Sequence, residues 1–160
     1  MSQTIYCING PNLGLLGLRQ PEIYGTQTLA DIEKKFKTRI GSSKIKCIFE
    51  QSNHEGALID ICNKIFLDNH DIKNQTQQKC IGLIINPGGF SHTSIALRDA
   101  LEMIQSLHIP IVEVHLSNIY SREEFRKQSY VSAIAKAIVS GMGAEGYIAA
   151  LNFILSLREK

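Results

Sequence analysis

The chain of 160 residues is predicted to fold as an α/β protein with a doubly wound parallel sheet. Two observations support this fold class. Short runs rich in β-branched residues alternate with segments that carry apolar residues at helical spacing. Most of the runs are also apolar at nearly every position, as expected for strands that are buried on both faces by flanking helices.

Five strands and four longer helices are predicted in alternation. The strands are Thr4–Ile8, Lys46–Phe49, Ile81–Ile85, Ile109–Val114 and Lys136–Val139. The helices are Leu29–Ile40, Glu55–Leu67, Ser94–Leu107 and Gly146–Leu157, and a capped helical turn is expected over Ser121–Arg126, with Ser121 and Glu124 at capping-box spacing. Five such units without an internal repeat favour a three-layer αβα arrangement with the flavodoxin-like strand order 2-1-3-4-5. Residues 1–160 are expected to form a single domain.

Composition excludes several classes of function. The net charge of +2 is too small to indicate binding to nucleic acid, and no apolar stretch reaches the roughly 18 residues of a membrane span. The four cysteines lie far apart without zinc-ligand spacing, so we expect them to pack in the core and expect no metal site. A strand that starts at the N-terminus leaves no signal peptide, which predicts a soluble cytoplasmic protein.

The polar stretch Asp68–Lys79 is predicted as a surface loop, with His70 solvated.

Polar and glycine-rich residues follow four of the predicted strands. They are Asn9–Gly14, Gln51–Glu55, Asn86–Thr93 and His115–Asn118. The carboxyl ends of parallel strands meet at one edge of the sheet, where open α/β folds bind their ligands. The sequence therefore predicts a functional crevice at this edge.

A glycine motif near the C-terminus could be mistaken for a nucleotide site. Gly141–Gly146 has the spacing of a dinucleotide-binding fingerprint. Such a site also needs a following strand with an acidic residue about 20 positions later, and none follows here. The glycines are better explained by a tight turn and close packing of a helix on the sheet, so no nicotinamide cofactor is expected.

The long connection Leu16–Gly25 contains a candidate base. An unperturbed tyrosine has a pKa near 10 and is about 4 kcal/mol from being ionised at neutral pH, a gap that a neighbouring guanidinium can reduce. Arg19 and Tyr24 could form such a pair. The alternative is that both residues only pack the loop.

A candidate acid follows the fourth strand. Glu113 precedes His115 by two positions, so the two side chains lie on one side of the strand and the carboxylate could orient the imidazole. His92 could face the same crevice, with Asn86 and Ser117. A structural hydrogen bond is the alternative role for each histidine.

Two further charged residues allow either interpretation. Arg126 could bind a carboxylate in bidentate fashion, or could belong to a solvated helix face. Asp99 could simply pair with Arg98 or a lysine.

Taken together, these segments resemble the type II 3-dehydroquinate dehydratases. The matching segments are Asn9–Leu13, Leu15–Gly17, Arg19, Tyr24–Gly25, Gln51–Gly56, Asn86–Phe90, His92–Ser94, Ala96–Asp99, Glu113–Asn118 and Arg122–Arg126. They span nearly the whole chain in the order and spacing of that family, and jointly they are very specific.

The resemblance implies an anti elimination that converts 3-dehydroquinate to 3-dehydroshikimate through an enolate, without cofactor or metal, in the shikimate pathway or in quinate breakdown. It implies that Tyr24 removes the C2 proton, that Arg19 stabilises the tyrosine anion, and that His115, oriented by Glu113, protonates the departing hydroxyl. Asn12 would hold a water that supports the enolate. The implied substrate-binding residues are Asn86, His92, Leu116, Ser117 and Arg126. Asp99 would come from a neighbouring subunit, because the family forms trimers that assemble into dodecamers.

Two other functions remain as alternatives from the residues themselves. A flavodoxin-like module could bind a flavin, nucleotide or phosphate in the same crevice, but Pro11 removes an amide donor from the loop after the first strand, and that loop lacks the Ser and Thr residues of a phosphate site. A hydrolase would need a G-x-S-x-G or G-x-C-x-G elbow, which the sequence does not contain.

Overall fold

The computed structural model describes residues 3–71 and 79–158, and its centre is a five-stranded parallel sheet. The strands are β1 (Gln3–Asn9), β2 (Ile45–Gln51), β3 (Cys80–Asn86), β4 (Ile111–His115) and β5 (Ala137–Ser140). Every neighbouring pair is parallel, and the order is β2-β1-β3-β4-β5. The predicted strands and the predicted strand order are therefore confirmed.

Within residues 3–71 and 79–158, five α-helices connect or follow the strands. They are α1 (Pro21–Tyr24), α2 (Leu29–Ile40), α3 (Glu55–Asn69), α4 (Ile95–Ser106) and α5 (Glu145–Ser156). Thr28 and Asp31 form a capping box that sets the start of α2, and Ser94 caps α4 through the backbone N–H of Leu97. The four longer helices match their predicted ranges to within two residues at either end.

The helices cover both faces of the sheet. One apolar core joins Ile8, Leu83 and Ile85 of the strands to α3 and α4, and the other joins Ile5, Ile84 and Val112 to α2 and α5. Successive residues of a strand point to opposite faces, which is why Ile84 belongs to one core and Ile85 to the other. The three-layer αβα prediction is confirmed.

The capped helical turn expected over Ser121–Arg126 is wrong. Two short 3-10 turns, Ile119–Ser121 and Glu124–Arg126, occupy this region. The Ser121 hydroxyl donates to the carbonyl of Asn118, and the second turn begins after Glu123 without a side-chain cap. The extended backbone of Arg122, with φ −106° and ψ −160°, prevents one helix from running through both turns.

The predicted loop Asp68–Lys79 begins later than expected. Helix α3 continues to Asn69, which is 2% exposed, and the Asn69 side chain accepts hydrogen bonds from the backbone N–H groups of Lys79 and Cys80, both at 3.0 Å. This buried amide therefore joins the end of α3 to the start of β3. His70 is exposed, as expected, and residues 72–78 lie outside the described ranges.

The four cysteines pack against apolar neighbours as free thiols. Burial raises the pKa of Cys47, Cys62 and Cys80 to about 12 and raises that of Cys7 further.

In residues 3–71 and 79–158 no helix combines the length and apolar character needed to cross a membrane.

Glycines allow two close approaches at the carboxyl edge of the sheet. A Cβ at Gly10 would lie 2.2 Å from the carbonyl oxygen of Pro87, so only glycine lets the loops after β1 and β3 meet this closely. Gly141 has a φ of +87° in the turn before α5, in agreement with a tight turn in the glycine motif.

Candidate active site

A cavity of about 150 Å³ lies at the carboxyl ends of β1, β3 and β4. Its lining includes eight residues that the sequence analysis singled out: Asn12, Arg19, Tyr24, Asn86, His115, Leu116, Ser117 and Arg126. The other lining residues are Pro11, Leu13, Leu16, Gly88, Gly89, Ile119 and Arg122. The crevice thus lies at the sheet edge where the sequence places it.

One wall carries a buried carboxylate–imidazole pair. Glu113 and His115 lie on the same face of β4, and His115 Nε2 is 2.8 Å from Glu113 Oε1. Glu113 is 0% exposed and His115 is 5% exposed. Because Nε2 faces the carboxylate, Nδ1 is the ring nitrogen left for a ligand in the cavity.

Two serines complete the shell around the carboxylate. Ser129 Oγ donates to Glu113 Oε1 and Ser132 Oγ donates to Glu113 Oε2. Burial by itself would raise the pKa of Glu113, but the hydrogen bond and positive charge of His115 together with the two serine hydroxyls lower it below the ordinary glutamate value. Glu113 is therefore held as a carboxylate. We call Glu113, His115, Ser129 and Ser132 the acid side.

The cavity lining also contains a tyrosine whose ring is contacted by two arginines. Arg122 Nη1 donates to the hydroxyl oxygen of Tyr24 at 2.9 Å and to Ser117 Oγ at 3.3 Å. The Arg122 Cζ lies 5.4 Å from the centroid of the Tyr24 ring, and the Arg19 Cζ lies 5.5 Å from it. The phenol of Tyr24 thus lies next to two positively charged side chains, one of which donates a hydrogen bond to its oxygen. We call Arg19, Tyr24 and Arg122 the base side.

Arg122 lines the cavity and contacts Tyr24, but the sequence indicated it only as part of the segment Arg122–Arg126 that resembles the family. Its contact with Tyr24 joins residues 98 positions apart, and no local pattern could have indicated it. Ser129 and Ser132 were also missed, because they look like ordinary polar residues before β5. The sequence feature that could have indicated them is their position shortly after Arg122 and Arg126, which line the crevice.

Three further lining residues are polar: Asn12 in the loop after β1, Asn86 at the end of β3 and Arg126 on the second 3-10 turn. Asn12 has a φ of 67°, a conformation that asparagine adopts more readily than most residues, and its backbone N–H donates to Asn53 Oδ1 at 2.8 Å. Arg126 Nε donates to Glu123 Oε2 at 2.8 Å, which orients the guanidinium beside the cavity. Asn86 is 3% exposed and its Oδ1 accepts the backbone N–H of Gly88 at 3.2 Å.

His92 and Asp99 do not line this cavity. His92 Nδ1 lies 2.6 Å from the carbonyl oxygen of Gln128, and its ring packs edge-on against Phe125. Asp99 projects from α4 with 63% of its side chain exposed, 3.9 Å from Arg98 Nη1. Within the described ranges, no three His, Cys, Asp or Glu side chains come together in a way that could hold a metal ion.

Comparison with known proteins gives consistent results. The sequence matches the dehydroquinase class II family over residues 3–155. It is 46% identical to a 3-dehydroquinate dehydratase of Janthinobacterium sp. (strain Marseille), covering 97% of this chain and 98% of that protein. It is 48% identical to a 3-dehydroquinate dehydratase of Rhodopseudomonas palustris (strain TIE-1), covering 95% and 92%.

The fold agrees with a solved structure of similar sequence. The type II dehydroquinase from Butyrivibrio crossotus superposes with a TM-score of 0.84 at 36% identity, covering 96% of this chain and 97% of that one. Sequence and fold match this family along almost the whole chain. The chain therefore belongs to the class II dehydroquinase family.

Proposed function

We propose that this chain is a hydro-lyase that converts 3-dehydroquinate to 3-dehydroshikimate, in aromatic biosynthesis or in quinate breakdown. The observation that carries the proposal is one small cavity lined both by Tyr24, which accepts a hydrogen bond from Arg122, and by His115, which pairs with the buried Glu113. An elimination next to a ketone needs a base for the α-proton and an acid for the leaving hydroxyl. The relatives named 3-dehydroquinate dehydratase support the choice of substrate.

Tyr24 is the proposed base. As a phenolate it removes the proton from C2, which lies next to the ketone of the substrate, and an enolate forms. Arg122 donates to the Tyr24 hydroxyl oxygen and Arg19 lies over the ring, so both stabilise the negative charge that the base carries before it reacts. Asn12 is proposed to hold a water that donates a hydrogen bond to the enolate oxygen.

His115 is the proposed acid. Its Nδ1 gives a proton to the hydroxyl that leaves the neighbouring carbon, and the ionised Glu113 stabilises the imidazolium before that transfer. The base and the acid come from different segments of the chain and both line the cavity, and an anti elimination is the proposed stereochemistry. These steps use only side chains and a water, without cofactor or metal.

The remaining polar residues are proposed to bind the substrate's hydroxyls and carboxylate. Asn86, Leu116, Ser117 and Arg126 line the cavity and can contact the substrate without rearrangement. Arg126 offers a charged donor pair for a carboxylate. His92 is proposed to join them once substrate is bound, through a movement of the short 3-10 turn Gly88–His92 on which it lies.

The proposed carbanion is an enolate and not an imine. A Schiff base needs a lysine at the reacting centre, and no lysine lies among the described residues that line the cavity. We expect borohydride added during turnover to leave the intact mass of the protein unchanged. A substrate-dependent covalent adduct on any lysine would contradict the enolate route.

Asp99 is proposed to act across a subunit boundary in trimers that assemble into a dodecamer. It lies on α4 between Ile95 and Met103, which are 57% and 39% exposed. One exposed face of this helix therefore carries an apolar side chain on either side of a carboxylate. We expect light scattering to find an oligomer at assay concentration, and Asp99→Asn to lower activity without dissociating it. An active monomer would contradict this assignment.

A reducing compartment is proposed for the protein. All four cysteines are free thiols, and disulfides are rare in the cytoplasm. This suits the cytoplasmic location expected from the sequence.

The function is tested by mixing purified protein with 3-dehydroquinate and following ultraviolet absorbance. The product is a conjugated enone that absorbs where the substrate does not, so we expect absorbance to rise in proportion to protein concentration. Tyr24→Phe, purified identically, controls for contaminating host enzyme. Equal rates from both preparations, or no rise with the wild type, would refute the proposal.

A further inference from the structure

A buried chain of hydrogen bonds leads from the second strand to the cavity. Asn9 Nδ2 donates to the carbonyl oxygen of Glu50 at 3.2 Å, and Asn9 Oδ1 accepts from the Tyr147 hydroxyl at 2.7 Å. The same hydroxyl oxygen accepts from Asn86 Nδ2 at 2.9 Å, and Asn86 Oδ1 accepts from the backbone N–H of Gly88 at 3.2 Å. Tyr147 lies on α5 and takes no part in the proposed chemistry.

The direction of every bond in this chain is determined by its two ends. A backbone carbonyl can only accept, so the nitrogen of the Asn9 amide must face Glu50 and its oxygen must face Tyr147. A backbone N–H can only donate, so the oxygen of the Asn86 amide must face Gly88 and its nitrogen must face Tyr147. The Asn9 end requires the Tyr147 hydroxyl to donate to Asn9, and the Asn86 end requires it to accept from Asn86.

Burial makes this arrangement costly to change. Tyr147 and Asn9 are 0% exposed and Asn86 is 3% exposed, so a polar group that loses its partner here cannot turn to bulk water. Burial also raises the pKa of Tyr147 well above the ordinary tyrosine value, which keeps the hydroxyl protonated and able to donate.

We propose that Tyr147 is a positioning residue, whose hydroxyl holds the Asn86 amide in the single orientation that presents an N–H to the ligand. The Asn86 nitrogen has two hydrogens. One is bonded to Tyr147, and the other is available to the cavity that Asn86 lines. At the position of Asn86, the site therefore binds a ligand oxygen that accepts a hydrogen bond from the amide nitrogen. The identity of the ligand that carries this oxygen rests on the proposed function.

Removing the hydroxyl should act on the ligand through Asn86. Without an acceptor at position 147, the amide of Asn86 is held only by Gly88 and can turn so that its carbonyl oxygen faces the cavity. A carbonyl oxygen repels the acceptor that the N–H would bind. We therefore expect Tyr147→Phe to lower kcat/KM about tenfold, mainly by raising KM, because one hydrogen bond to substrate is lost.

A double-mutant cycle with Asn86→Ala distinguishes positioning from a general structural role. If Tyr147 acts through Asn86, adding Tyr147→Phe to Asn86→Ala leaves kcat/KM unchanged. Asn69→Ala is the matched control, because it removes a buried amide near the opposite end of β3. We expect it to destabilise the protein without raising KM. A further tenfold loss in the Asn86→Ala background, or an equal rise of KM in Asn69→Ala, would overturn the proposal.

Nuclear magnetic resonance tests the same proposal without substrate. In wild-type protein labelled with ¹⁵N-asparagine, we expect one side-chain proton of Asn86 to exchange slowly with D₂O and the other to exchange quickly. Tyr147→Phe should make both exchange quickly. Two equally fast protons in the wild type would contradict the assignment even if the variant does not fold. This measurement needs no turnover, so its result is independent of the absorbance test. If the wild type is inactive on 3-dehydroquinate, the proposed function is refuted, and the exchange rates still test the role of Tyr147.

Discussion

Glu113 and His115 lie on a central strand and are almost completely buried, whereas Arg19 and Tyr24 lie on the connection between β1 and α2, where Leu18 is 81% exposed. The carboxylate of the acid side accepts three side-chain hydrogen bonds. The tyrosine of the base side is held by an arginine that comes from a different loop. The Glu113–His115 pair of the acid side is thus placed by one strand of the sheet, while the base side depends on how two loops meet.

This difference has a consequence for mutation. A change on the acid side should affect both stability and activity, because its groups are part of the core. A change on the base side should affect activity alone, because its groups lie on surface loops. Four predictions test this separation.

The largest effect is expected for Tyr24→Phe. Loss of the base should lower kcat by about 10²–10⁴-fold, while the melting temperature stays close to that of the wild type. Tyr120→Phe is the matched control, because Tyr120 is 56% exposed on a neighbouring turn and should retain full activity. If Tyr24→Phe keeps more than about a hundredth of the wild-type kcat, Tyr24 is not the base.

Arg122→Met should have the next largest effect. It removes the hydrogen bond to the Tyr24 hydroxyl, and charge-assisted bonds of this kind contribute about 1.5–3 kcal/mol, so we expect kcat to fall about 10- to 100-fold. Arg122→Lys should recover only part of this loss, because an ammonium lacks the fork that reaches both Tyr24 and Ser117.

The control for this prediction is Arg39→Met, which removes a surface arginine bonded to Asn152 outside the cavity. It should leave kcat unchanged. Steady-state kinetics and thermal unfolding of the three variants measure both effects. A large fall in melting temperature for Arg122→Met would show that the base side is also structural.

Ser132→Ala should lower stability more than it lowers activity, unlike the two changes on the base side. It leaves the buried Glu113 carboxylate with one donor fewer, so we expect the free energy of unfolding to fall by about 1.5–3 kcal/mol. Activity should fall only several-fold, because His115 and Ser129 still hold the carboxylate. Ser156→Ala, which removes an exposed serine on α5, is the control in denaturant titrations. Unchanged stability in Ser132→Ala would contradict the account of the acid side.

The smallest expected effect is on the pH dependence of the free energy of unfolding. Glu113 should contribute to this dependence. Its pKa in the folded protein is lowered below the ordinary value near 4.3, so its ionisation stabilises the fold above that pH and this contribution is lost as the pH falls through the folded pKa. The stability difference between wild type and Glu113→Gln should therefore shrink as the pH falls from about 6 to about 3. A difference that is constant or grows over this range would show that the folded pKa is not lowered.

The same comparison explains what could be predicted from the sequence. The pairing of Glu113 with His115 follows from the two-residue period of a strand, and the crevice follows from the common edge of parallel strands. Arg122, Ser129, Ser132 and Tyr147 could not be predicted, because their partners are distant in sequence and no periodic rule relates them. The failed capped turn over Ser121–Arg126 has a different, local cause. Its spacing fits a capping box, but the hydroxyl of Ser121 bonds backward to Asn118.

The division of labour between Tyr24 and His115 is tested most directly by deuterium exchange at C2 of the substrate. In D₂O, His115→Asn retains the base but lacks the acid, so we expect recovered 3-dehydroquinate to gain deuterium at C2 faster than product forms. Tyr24→Phe should slow both the exchange at C2 and product formation by about 10²–10⁴-fold. Exchange in Tyr24→Phe together with its absence in His115→Asn would contradict the assignment of base and acid.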